Sequence, residues 1–115
     1  MDGPSPEITA SAQEKIQEMV RRIVEQFHPE KVILFGSYAR GTAGPDSDVD
    51  LLVVTPVSGS KRRLTIEIDI AIAGLGLPKD VIVVTPEEVE DYRDQVGTII
   101  YPALHEGKVL YERAV

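Results

Sequence analysis

Asp48 and Asp50 flank a single valine, and the apolar run Leu51-Leu52-Val53-Val54 follows at once. Side chains of an extended chain alternate with period two, so carboxylates at i and i+2 point to one side. Like charges held together on one face repel, and the pairing gains nothing for stability by itself. It makes sense if a divalent cation, which binds hard oxygen ligands, sits between the two. Upstream, Gly36-Ser37 closes a second apolar run, Val32-Ile33-Leu34-Phe35. A Gly-Ser turn offers backbone N–H groups and a hydroxyl to an anion, which suits a phosphate. Together the two features describe a site for a metal and a nucleotide.

Each of these residues also has a purely structural reading. Gly36-Ser37 could be a strand-ending turn, and Asp46, Ser47 and Asp48 could be turn and capping residues. Asp46 is assigned to the loop for that reason. Asp50 resists the structural reading, because aspartate is depleted in apolar strands and costly there without a compensating ligand. A third carboxylate could come from Asp69 or Asp80. Asp80 opens the β-branched run Val81-Ile82-Val83-Val84 as Asp50 opens its own, whereas Asp69 reaches the pair only if residues 60–73 are a strand. Arg40, planar and permanently charged, could contact a phosphate or pair with a carboxylate. His28 and His105 lie too far apart in sequence for metal spacing. Lys61-Arg62-Arg63 reads as a solvated helix start, with contact to a nucleotide tail or an RNA as the alternative.

Ten residues, 38–47, separate Gly36-Ser37 from Asp48-Val49-Asp50. That spacing, the entering strand, Ala39-Arg40-Gly41 and the run Pro78 to Val84 resemble the nucleotidyltransferase signature, over roughly Val32 to the C-terminus. The chain looks most like the minimal nucleotidyltransferases, members of the polymerase-beta-like superfamily often paired with a HEPN-domain protein. The resemblance implies a nucleotidyltransferase fold and transfer of AMP from ATP. Gly36, Ser37 and Arg40 would hold the nucleotide. Asp48, Asp50 and Asp80 would be the catalytic, metal-binding carboxylates for Mg²⁺, with two ions expected. It also implies a role as antitoxin to a HEPN ribonuclease, by attaching AMP to a hydroxyl of that partner. The alternatives are a non-catalytic module that neutralises a partner by contact, or an antibiotic-type enzyme acting on a small molecule.

Composition frames that site. A chain of 115 residues is expected to be one small domain, 1–115, with 1–6 as a flexible tail. The net charge of −7 does not recommend a nucleic-acid duplex as direct partner. Without cysteine there are no disulfides, thiol nucleophiles or Cys-type zinc sites. No apolar run approaches a membrane span, and the acidic, proline-containing start is not a signal peptide. A cytoplasmic location is the default expectation.

The elements that must position the site follow from periodicity. Ile16, Met19, Val20, Ile23, Val24 and Phe27 recur at helical spacing, predicting a helix over 9–27 with a Ser11/Glu14 capping box. Strands are predicted over 31–35, 51–55 and 81–84, the last as a central strand, with a short helical turn over 38–41. Residues 60–73 alternate like a strand through Leu64, Ile66, Ile68, Ile70 and Ile72. Leu64, Ile68, Ile72 and Leu75 also form a helical stripe, and the segment is assigned to helix. Thr85, Pro86 and Glu87-Glu88 predict a capped helix start. A short helix over 98–106 and a strand over 109–111 complete an α/β domain, a small mixed β-sheet with helices packed against it.

Overall fold

The structure, a computed structural model, describes residues 4–114 and the side chains of 12–114. Five helices and four strands are described in the order α1 (Pro4–Phe27), β1 (Lys31–Phe35), α2 (Ser37–Arg40), β2 (Val49–Val54), α3 (Lys61–Ala71), β3 (Lys79–Val84), α4 (Pro86–Tyr92), α5 (Ile100–Glu106) and β4 (Lys108–Glu112). The strands form one mixed sheet in the order β3-β2-β1-β4. β1 runs antiparallel to both β2 and β4, while β2 and β3 are parallel. This is the expected α/β architecture.

Alternating strand side chains divide the core between two faces. On one face, Val32, Leu34, Leu51, Val53, Val81 and Val83 pack with Ile16, Met19 and Ile23 of α1 and Ile68 of α3. On the other, Ile33, Phe35, Leu52, Val54 and Val84 pack with Ile100 and Ala103 of α5, and Val89 of α4 joins them. β1 and β2 are inner strands buried on both faces, which explains their uninterrupted apolar runs.

Several boundaries differ from the sequence expectation. α1 begins at Pro4, so Ser11 lies inside the helix and cannot be its N-cap. Prolines at the start of a helix are tolerated because first-turn N–H groups lack intrahelical partners anyway. Of the expected tail, Pro4–Pro6 are therefore helical, and residues 1–3 lie outside the described residues. β3 is an edge strand, not a central one, because β2 alone pairs with it. Its β-branched run is buried by helices instead, with α3 against it on one face. β2 begins at Val49, two residues early, and takes Asp50 into the sheet. α5 begins at Ile100, and the Thr98 hydroxyl accepts from the Tyr101 N–H at its start.

The ambiguous segment is a helix. Ser60 caps α3 by accepting from the Arg63 N–H at 3.1 Å, and Ile68 and Ile72 are fully buried. Ile66 and Ile70, which strand-like alternation would put on the buried side with them, are exposed. At α4 the predicted cap is a complete capping box. Thr85 Oγ1 accepts from Glu88 N–H, and the Glu88 carboxylate accepts from Thr85 N–H. Glu88 also receives Lys61 Nζ at 2.7 Å, which joins the starts of α3 and α4.

Candidate active site

The register of the sheet decides which carboxylates meet. Phe35 at the end of β1 is opposite Asp50 near the start of β2, and Asp50 is opposite Asp80 on β3. Asp50 lies two residues before Leu52, and Asp80 two before Ile82; both of those pack on the α4/α5 face. Period two therefore brings Asp50 and Asp80 out on that same face, as neighbours on adjacent strands. Asp48 lies just outside β2, exposed at the end of the loop. The strand geometry expected for the Asp48/Asp50 pair thus covers Asp50 only.

Electrostatics tie the three together. Asp50 is half-buried, and burial pushes its pKa above the ordinary aspartate value. The negative charge of Asp80 adds to the rise, then that of Asp48, while Arg40 pulls the other way. Ionised Asp50 is therefore under-compensated by the protein, a condition that a cation would relieve. The donors are all hard carboxylate oxygens, which fits a divalent cation of the magnesium type. Among the described residues no three acidic or histidine side chains already converge as a ready-made metal cage. Asp48, Asp50 and Asp80 are thus neighbours in charge rather than a closed ligand set.

Gly36 sits between β1 and α2, and its conformation explains its residue type. Its φ of 75° and ψ of −154° belong to a region that only glycine enters readily. A Cβ at this position would overlap Oδ2 of Asp50. The turn and the carboxylate therefore touch, although 13 residues lie between them in sequence. The Gly36 carbonyl accepts from Ala39 and Arg40 N–H at 3.1 Å, opening α2 with Ser37 as its first residue. Gly41 closes that turn with φ 77°.

The remaining candidates separate clearly. Asp69 is on α3, about half exposed, and pairs with Lys79 Nζ at 3.1 Å. α3 packs on the α1 face of the sheet, opposite the face that bears Asp50 and Asp80. Arg40 approaches Glu106 at 3.9 Å, with both side chains exposed, a loose pair that leaves the guanidinium able to reorient. His28 and His105 are both exposed; His105 stacks on Tyr101 with ring centroids 4.0 Å apart. Lys79 and Glu106 were not among the sequence candidates. Lys79 lies in the run Pro78 to Val84, but its pairing with Asp69, like that of Glu106 with Arg40, is visible only in the folded chain.

Residues 15–105 match the profile of the nucleotidyltransferase domain. Two proteins of Methanocaldococcus jannaschii, both named "Putative protein adenylyltransferase", are similar in sequence. One is 45% identical over 51 residues, covering 43% of this chain and 34% of its own length, so the chain spans about a third of that relative. The other is 34% identical over 77 residues, covering 58% of this chain and 78% of its own length. In fold, the chain is similar to a crystal structure of a nucleotidyltransferase, described as putative, from Sulfolobus solfataricus. The TM-score is 0.68 at 21% identity, over 98% of this chain and 91% of that one. A toxin-antitoxin crystal structure with AMP-PNP matches with a TM-score of 0.55 at 18% identity, over 84% and 73%.

Proposed function

Since this chain belongs to the nucleotidyltransferase domain family, we propose that it transfers AMP from ATP to a hydroxyl of a partner protein. The observation that carries the reading is the register of Asp50 against Asp80, with Asp48 close enough to raise the Asp50 pKa. Acidic side chains placed this way repel one another and serve a cation-dependent reaction better than they serve stability. The protein adenylyltransferase names of the two relatives support a protein acceptor.

In this reading, the N–H groups and hydroxyl of the Gly36-Ser37 turn bind the terminal phosphates of ATP. Arg40 exchanges Glu106 for a phosphate oxygen. Asp48, Asp50 and Asp80 would hold Mg²⁺, two ions in the full site, which supplies charge compensation to the triphosphate. The acceptor oxygen attacks the α-phosphorus and an O–P bond forms. The bond from that phosphorus to the bridging oxygen breaks, and pyrophosphate leaves. Asp80, at the exposed edge of the sheet, takes the hydroxyl proton as general base. No side chain acts as a nucleophile. Positioning and charge compensation are what the chain contributes.

The partner we propose is a HEPN-type ribonuclease toxin, with this chain as its antitoxin. The fold likeness to a toxin-antitoxin structure with AMP-PNP is compatible with that pairing. Incubating the two proteins with ATP and Mg²⁺ should add the mass of AMP to the partner, and Asp50→Ala should prevent it. Neutralisation of the partner by the inactive variant would replace chemistry with contact as the function. Modification of a small molecule alone would replace the protein acceptor.

A further inference from the structure

The outer face of α3 carries two features that the nucleotide site does not use. Ile66 is 49% exposed and Ile70 is 68% exposed, one helical turn apart on the same side. Arg62 and Arg63, in the turn before, flank that stripe, and Arg62 enters no ion pair among the described residues. Single exposed isoleucines are ordinary; here two stand side by side with charge on either flank.

We propose that this face pairs with the same face of a second copy of the chain, antiparallel about a two-fold axis beside Ile66. The charge order of the helix selects that occupant. Positive charge lies before Ile66, at Arg62 and Arg63, and negative charge after it, at Glu67 and Asp69. With about 100° of turn per residue, Arg62 and Asp69 fall on one flank of Ile66, Arg63 and Glu67 on the other. Antiparallel pairing brings Arg62 level with the second copy's Asp69, and Arg63 level with its Glu67. Ile66 meets its own copy, and each Ile70 covers the aliphatic stem of an arginine. Such a surface is self-complementary, as an isologous interface must be. Within one chain, Arg63 stands 3.7 Å from Glu67 and Lys79 binds Asp69. Both carboxylates can accept from a second donor.

One helix per copy is a small interface, so the dimer is weak and salt-sensitive. The test is sedimentation equilibrium of the purified full chain, from micromolar to about millimolar concentration and at low and high salt. The expected result is a concentration-dependent rise from 12.6 kDa toward twice that mass, suppressed by salt. Ile66→Lys with Ile70→Lys should weaken association at least about tenfold with an unchanged thermal melt. Arg62→Asp should weaken it, and Arg62→Asp with Asp69→Arg should restore it, because the pair lies between copies. A wild-type chain that stays monomeric throughout overturns the proposal, including one whose α3 face binds only a different protein. A dimer unaffected by the lysine pair, or a charge swap that fails to restore association, overturns it too.

Discussion

Asp50 and Asp80 stand directly opposite one another on adjacent parallel strands, and the negative charge of Asp80 helps lift the Asp50 pKa. Two neighbouring strands thus each spend an apolar stretch's first turnout on a carboxylate.

Asp50→Asn should stabilise the metal-free protein while abolishing transfer. The folded-state pKa of Asp50 is raised, so the folded chain binds the extra proton more readily than the unfolded chain. Its ionisation therefore costs stability above the raised pKa. The cost is relieved as pH falls through that value toward the ordinary aspartate range. Asparagine removes both the cost and its pH dependence. Denaturant melts of both proteins across pH 4–8 would show it, as would a turnover loss of about 10²-fold or more. A variant less stable than wild type at neutral pH would contradict the electrostatic account.

Gly36→Ala should damage both fold and site. The new Cβ meets the Asp50 carboxylate, and φ of 75° is strained for alanine. A loss of about 1–3 kcal/mol is expected from the backbone conformation alone. Urea unfolding measures it, and nucleotide titration should show weakened binding beyond what partial unfolding explains.

Asp69→Asn and Asp80→Asn should behave oppositely. Asp69 is half exposed but its partner Lys79 is only 17% exposed, so the change at Asp69 should cost about 1 kcal/mol in stability. Turnover should barely move. Asp80→Asn should reduce turnover by about 10²-fold or more, with little loss of nucleotide affinity. Comparing kcat and KM for the two variants decides it, and the reverse ranking would place the third carboxylate on α3.

Glu88→Ala should cost roughly 0.5–2 kcal/mol, the range for losing a helix cap. Lys61 and the Thr85 N–H hold the Glu88 pKa below its ordinary value. A depressed folded-state pKa means the stabilisation is present above the ordinary glutamate pKa. It is lost as pH falls through the lowered one. The difference between wild type and Glu88→Ala in thermal melts should therefore shrink under acidic conditions and stay constant near neutrality.

The Gly36-Ser37 spacing to Asp48 and Asp50 and the Thr85 cap were legible in the sequence, as was the helix assigned within residues 60–73, although strand-like alternation fitted that segment equally. Each is set by local chemistry: glycine's conformational freedom, 3.6-residue periodicity, and side-chain acceptors for unpaired N–H groups. Asp50 stood out as a charge in an apolar run for the same reason. Only the tertiary structure decided which carboxylates come together, because strand register depends on pairings remote in sequence. The register put Asp80 beside Asp50 and left Asp69 on a helix with Lys79. Asp48 ended outside the strand, and β3 at the sheet's edge. Gly36's contact with Asp50 was equally invisible in sequence, since it arises where the end of β1 meets the start of β2.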